Sequence, residues 1–245
     1  MKVGKKSMAY AIRGVHGQAV DTLARRILSG ELGEGSTLDM PALQAELDIS
    51  LTVLREALKV LAAKGMIDAR PKRGTFVRPR SFWNLLDADL LRWQLSGHRV
   101  DQGLLADLTE VRSIIEPASA RLAAARWNDQ DLAALDAALS AMAAAGGDPA
   151  AEIEADLAFH RALFSATHNE LLQRMEIVLE AGLAERDQLV HSDHPHSDPE
   201  PSHRAVADAI RARDADAAEQ AMRDLIVEAE RDLDAVRRHN SEGDI

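Results

Sequence analysis

The 245-residue sequence contains no cysteine. That excludes disulfide bonds and cysteine-ligated zinc, and it suits a cytoplasmic protein. No uninterrupted run reaches the roughly 18 apolar residues that a membrane-spanning helix needs. Residues 1–14 carry some Lys and Arg but no apolar stretch, so no secretion signal is read there, and they are expected to form a flexible leader. HExxH, a glycine-rich phosphate loop and a nucleophile elbow, which mark common enzyme classes, are all missing. No internal repeat is visible, and no low-complexity tract beyond an alanine bias. Positive charge is also short: 29 Lys+Arg face 40 Asp+Glu, a net charge of −11 that by itself argues against nucleic acid.

The distribution of charge reverses that conclusion. Residues 1–80 hold 14 Lys+Arg and 8 Asp+Glu, whereas residues 81–245 hold 15 and 32. A basic module that meets phosphate and an acidic module that stays off it explain the asymmetry. The basic module centres on residues 50–79. Ser50 is a good helix N-cap, and Leu54, Ala57, Leu58, Leu61 and Ala62 follow at helical spacing. Thr52, Arg55 and Lys59 form the opposite stripe, and Gly65 stops the helix. Two β-prone runs, 66–70 and 75–78, flank Pro71-Lys72-Arg73-Gly74, which signals a hairpin with a basic tip. A short cationic helix followed by a cationic hairpin is the layout of a winged helix-turn-helix, with the helix in the major groove and the wing on the backbone or minor groove. Upstream, an amphipathic helix is expected over 17–29, a break at 30–35, a short helix over 41–47, and a turn at Asp48-Ile49. Residues 15–80 therefore form the DNA-binding domain.

Residues 81–100 are read as a linker helix. Trp83 and Trp93 either wedge between two domains or serve as ordinary core of the second. From 101 to 240 the chain is Ala- and Leu-rich and helical. Leu104, Leu108, Val111, Ile115, Ala118, Leu122 and Ala125 predict one long helix with an unbroken seam. Further helices are expected at 129–145, 150–167, 169–190, 202–213 and 214–238, with a His-, Pro- and Ser-rich loop at 191–201. The fold class is mainly α: a winged helix followed by an antiparallel helical bundle.

Several side chains carry candidate chemistry. Between 55 and 80, eight cations (Arg55, Lys59, Lys64, Arg70, Lys72, Arg73, Arg78, Arg80) face only Glu56 and Asp68. Such cations gain affinity by releasing phosphate counterions. The DNA-facing set is Ser50, Thr52, Arg55, Lys59, Arg70, Lys72, Arg73, Gly74 and Thr75. Arg55 leads it, because a guanidinium reads guanine or grips phosphate bidentately. The bland alternative is a solvated basic face. In the bundle, Asp156 and His160 lie four apart beside Ile153, Leu157 and Phe164, so two polar groups interrupt an inward stripe. With His203 they offer one carboxylate and two imidazoles, a set suited to zinc, nickel or manganese with positions left open. A hydrogen-bonded Asp–His pair is the simpler reading of that spacing. His191, His194 and His196 are either substitute ligands or solvated loop residues. Arg112 stands one turn before Glu116, as a carboxylate grip or as half of a surface ion pair.

The residues Ser50, Thr52, Leu54-Arg55-Glu56-Ala57-Leu58, Leu61, Gly65 and Gly74-Thr75-Phe76-Val77 resemble the GntR family of bacterial transcription regulators. The later residues Val111-Arg112, Glu116-Pro117, Asp156, Phe159-His160, Asn169, His203, Ala209-Ile210 and Asp214 resemble its FadR-type branch, which has an all-helical (FCD) effector domain. The stretch Trp83-Asn84-Leu85-Leu86-Asp87 with Leu91-Arg92-Trp93 is similar to sugar-acid members. The resemblance implies a homodimeric regulator, expected to be a repressor, of a sugar-acid or hydroxy-acid catabolic operon. It implies a double-stranded DNA operator and a galactonate-like effector inside the bundle. Arg112, Asn169 and Glu116 would contact the effector, and Asp156, His160 and His203 would hold a divalent metal. Three positions depart from the family pattern. Leu51 stands where Arg is usual, Leu38-Asp39-Met40-Pro41-Ala42 lacks the usual Arg, and Leu225 replaces a fourth ligand histidine. The rival class is a metal-dependent hydrolase or lyase using Asp156, His160 and His203.

Overall fold

The computed structural model describes residues 14–95, 101–176 and 199–242. The expected leader, the end of the linker stretch, most of the helix expected at 169–190 and the loop with His191, His194 and His196 lie outside the described residues. The chain divides into two compact units, residues 1–100 and 101–245.

In the first unit, helix α1 (Gly14–Leu28) buries Val20, Leu23, Ala24 and Ile27. Helix α2 (Met40–Leu47) starts at Asp39, whose Oδ1 accepts the Ala42 N–H at 3.0 Å. The departure at residues 38–42 is thus locally self-consistent, since an Asp cap followed by Pro41 starts a helix well. Helix α3 (Leu51–Ala63) is capped by the Ser50 hydroxyl, which accepts the Val53 N–H at 3.2 Å, and it buries Leu54, Ala57, Leu58 and Leu61. Strands β1 (Ile67–Arg70) and β2 (Gly74–Val77) pair antiparallel, with Ile67 opposite Val77 and Arg70 opposite Gly74. Residues 35–38 add an unforeseen third edge. Val77 N donates to Ser36 O at 3.0 Å and Leu38 N to Thr75 O at 2.8 Å. Four residues are too few to show a period of two, so the sequence carried no strand signal there.

The junction differs from expectation. Residues Arg80–Phe82 make one 3₁₀ turn, and helix α4 begins only at Ala88 and runs to Leu95. Trp93 is 4% exposed and lies with Leu90 in the core of the first unit, and Trp83 packs against that core. Both indoles belong to the core of the first unit: α4, which carries Trp93, packs on α1, and Trp83 packs against the same core. Gly65 makes this close packing feasible. Its φ is +78°, and a Cβ there would sit 2.3 Å from the backbone oxygen of Phe82.

The second unit contains helices α5 (Gln102–Arg126), α6 (Asp129–Ala145), α7 (Pro149–Ala166), α8 (described over 170–176), α9 (Glu200–Arg211) and α10 (Ala215–Glu242). Short capped turns join them. Asn128 and Asp131 form a capping box on α6, and Gly146 ends that helix in the left-handed region. Helices α5, α9 and α10 pack together, as do α6 and α7, around Leu135, Leu139, Phe159, Leu163, Val206, Ile210 and Met222. The seam expected on α5 is corrected. Ala118 and Ala125 are exposed, and the buried stripe runs through Leu108, Arg112, Glu116, Ser119, Ala120 and Ala123. The helix is turned so that two opposite charges face inward together, which an apolar count cannot anticipate. Among the described residues no helix is long and apolar enough to cross a membrane.

Candidate functional site

Two groups of side chains stand out, one in each unit. In the first, Thr52, Arg55 and Lys59 all lie exposed along one side of α3. Lys59 is paired with Glu56 at 2.8 Å. Arg55 has no ion-pair partner among the described residues, so its guanidinium is available at no cost in broken pairs. Ser50 is exposed, but its hydroxyl is committed to the helix cap. In the wing, Lys72 is exposed at the tip with φ 66°, beside exposed Gly74 and half-buried Thr75. The Arg73 guanidinium lies 3.5 Å from the Phe76 ring centroid, and its Nη2 donates to Gly35 O at 3.4 Å. Arg70 pairs with Asp68 at 3.3 Å. Stacking and pairing restrain these long cations and lower the entropy lost on meeting a phosphate. Lys64 leaves the set of eight cations: it is 7% exposed and turned into the unit.

In the second unit α5, α7 and α9 bring together Arg112, Glu116, Asp156, His160 and His203, all buried. Arg112 Nε donates to Glu116 Oε1 at 2.7 Å and Nη2 to Oε2 at 3.4 Å. The pair foreseen at the surface is therefore internal, with Glu116 fully buried. Burial pushes the Glu116 carboxyl up, but the charges of Arg112 and His160 and the Arg112 hydrogen bonds outweigh it and hold it below the usual range. Burial pushes His160 down, against the pull of Glu116 and Asp156.

The ligand atoms of Asp156, His160 and His203 all lie within 4.8 Å of one another. His203 Nδ1 lies 2.7 Å from Pro199 O, a contact that only an Nδ1–H can make favourable. That places a proton on Nδ1. The His203 Nε2 faces Asp156 Oδ1 at 2.9 Å without hydrogen-bond geometry. His160 Nδ1 lies 3.4 Å from Glu116 Oε2, and its Nε2 lies 3.7 Å from Asp156 Oδ1. Neither ring nitrogen of His160 makes a hydrogen bond among the described residues. Each imidazole thus has one nitrogen beside an outer oxygen acceptor and the other aimed at a shared carboxylate oxygen. Two imidazoles and a carboxylate gathered this closely can hold a cation, and the outer oxygen acceptors are of the kind that orient metal-bound histidines. Leu225, 4% exposed, is simply core. Asn169 is used locally: its Oδ1 accepts the N–H groups of Leu171 and Leu172 at 3.0 and 3.4 Å, capping α8. The Pro199–His203 and Glu116–His160 contacts were not foreseen. Glu116 signalled itself through its spacing from Arg112, whereas a backbone carbonyl leaves no trace in sequence.

A basic winged helix followed by a helical domain with a buried polar centre defines a DNA-binding transcription regulator with an effector domain. Comparison with known proteins agrees. Residues 16–77 match the bacterial regulatory proteins of the gntR family, and residues 107–228 match the FCD domain. The chain belongs to the GntR family. It is 39% identical over 219 residues to the galactonate operon transcriptional repressor of Escherichia coli K12, covering 87% of this chain and 94% of that protein. It is 30% identical over 210 residues to a probable D-xylose utilization operon transcriptional repressor of Paenarthrobacter nicotinovorans, covering 85% of this chain and 84% of that one. Among solved structures, Streptococcus agalactiae GntR matches with a TM-score of 0.50 and 27% identity, over 88% of this chain and 99% of that chain. The family and these relatives are regulators, so the hydrolase or lyase reading is set aside.

Proposed function

We propose that the protein is a cytoplasmic, homodimeric repressor of a sugar-acid or hydroxy-acid catabolic operon, released from DNA by a small galactonate-like carboxylate bound in the bundle. The single observation that carries this is the buried Arg112–Glu116–His160–Asp156–His203 centre, placed in the effector domain of a DNA-binding chain. The name of the galactonate repressor supports the choice of acid. Dimerisation follows from what one winged helix can grip: few base pairs, so that two half-sites about one helical turn apart supply the affinity.

On DNA, Arg55 reads a base or phosphate in the major groove, Thr52 and Lys59 flank it, and Lys72, Arg73 and Arg70 hold the backbone beside the wing. Gly74 and Thr75 let the wing approach closely. In the bundle, Asp156, His160 and His203 hold a divalent ion, with zinc, nickel and manganese all compatible with this donor set. When bound, such an ion supplies positive charge and open positions for carboxylate or hydroxyl oxygens.

Charge counting then favours a monoanion. As ligands of an ion both imidazoles are neutral, and Arg112, Glu116 and Asp156 then sum to −1. A divalent ion makes the sum +1, which one carboxylate balances. Arg112, whose Nε and Nη2 are held by Glu116, offers its remaining Nη1 to that carboxylate, Glu116 keeps His160 oriented, and the Asn169 amide N–H donates to hydroxyls. The test combines gel shift on the DNA upstream of the protein's own gene with calorimetric titration of galactonate, lactate and the neutral sugar galactose into ion-loaded protein. Acid-dependent release with no response to galactose is expected. No shift at low salt, or release by galactose, would refute the reading.

A further inference from the structure

Lys64 is buried, unlike the exposed Arg55, Lys59, Arg70, Lys72 and Arg73, and its surroundings are unusual. It caps the C-terminus of α3 and is 7% exposed. Its ammonium donates to Asp87 Oδ1 at 2.6 Å and to Asp89 Oδ2 at 2.8 Å, and it lies 5.5 Å from the Trp93 ring centroid. Both carboxylates open α4. Asp87 Oδ1 also accepts the N–H groups of Asp89 and Leu90, each at 3.1 Å, so one oxygen atom caps α4 and anchors Lys64. Asp89 Oδ1 in turn accepts Arg92 Nη2 at 3.0 Å. The backbone joins in, with Asn84 N donating to Lys64 O at 2.9 Å.

The polarity of the helices makes this arrangement favourable. The C-terminal end of α3 is its negative pole and receives the ammonium. The N-terminal end of α4 is its positive pole and receives the carboxylates. Among the contacts described, two positive and two negative side chains offset one another. A buried pair of this kind contributes little net stability but penalises every geometry in which the partners separate, so it specifies one arrangement.

We propose that Lys64 is a positioning residue of the recognition helix: with Asp87 and Asp89 it locks α3 to the start of α4, the last helix before the effector domain in the chain. Any displacement of α4 then carries Arg55 and Thr52 with it, and the operator is read only while the lock is closed.

The experiment compares the full-length wild type, Asp89→Asn, Lys64→Met and Arg55→Ala on a DNA fragment spanning the region upstream of the gene, across a series of salt concentrations. Asp89→Asn removes a negative charge, which by electrostatics alone would tighten DNA binding. The lock instead predicts roughly five- to tenfold weaker binding, with the salt dependence unchanged. Lys64→Met behaves the same way, and the double variant loses less than the product of the two single losses. Arg55→Ala, by contrast, flattens the salt dependence by about one unit. Hydrogen exchange of the amides at 61–66 rises in Asp89→Asn, a reading available whatever the DNA site. Equal or tighter binding by Asp89→Asn, or a salt dependence in Lys64→Met flattened as in Arg55→Ala, would overturn the proposal. So would unchanged exchange at 61–66. If Lys64→Met does not fold, the conservative Asp89→Asn decides alone.

Discussion

Replacing Arg112 by Met tests the polar centre most directly. Arg112 is 5% exposed, and its partner Glu116 is fully buried, with Arg112 supplying its two hydrogen bonds. Methionine fills much of the volume but leaves the carboxylate without its counter-charge. Removing one member of a buried pair costs about 3–5 kcal/mol, because a stranded charge must stay desolvated or take up a proton. In chelator-treated protein, calorimetry should show the transition of the second unit falling by roughly 8–15 °C, at the few degrees per kcal/mol typical of a domain of this size, while that of the first unit is unmoved. The pH dependence should invert. In the wild type, Glu116 has a folded pKa below its ordinary 4.5, so its contribution is present above that value and is lost as pH falls. In Arg112→Met burial acts on Glu116 with far less opposition and raises its folded pKa. The penalty is then full at neutral pH and relieved on acidification. Adding Glu116→Leu should restore much of the loss. A cost under about 1 kcal/mol, or a wild-type pH trend retained in the variant, would refute the buried-pair reasoning.

Gly65→Ala places a Cβ 2.3 Å from the Phe82 backbone oxygen at φ +78°, so the first unit should lose about 2–4 kcal/mol, read as a lowered melting transition confined to that unit. Zinc or nickel binding, followed by equilibrium dialysis, should drop at least about tenfold in His203→Ala and in Asp156→Ala. Leu225→His should raise it by supplying the imidazole the family usually has, and unchanged affinity would show that position to be out of reach. Arg55→Ala should weaken operator binding by about 1–3 kcal/mol, and Lys59→Ala by less, because Lys59 is already paired with Glu56. Equal losses in gel-shift titrations would contradict the idea that the unpaired Arg55 carries the contact.

Local rules sufficed for much of this protein. Caps at Ser50 and Asn128, the left-handed stop at Gly65 and the apolar face of α3 act within a few residues, so helices and wing were legible from the chain alone. The separation of charge between the halves, and the residue types at 112, 116, 156, 160 and 203, were legible too, because charge and ligand chemistry do not depend on fold. Only the tertiary structure decided which charges turn inward. Lys64 and Arg112 look like surface cations by type, yet both are buried: Lys64 meets Asp87 and Asp89 from beyond its own helix, and packing turns the whole Arg112–Glu116 pair of one helix inward. The same holds for Trp93, whose place in the core of the first unit is set by the docking of α4 on α1, and for His203, whose Nδ1 proton is held by the Pro199 carbonyl. Burial of a charge is a property of pairs brought together by packing, and packing is the part of the outcome that no local pattern encodes.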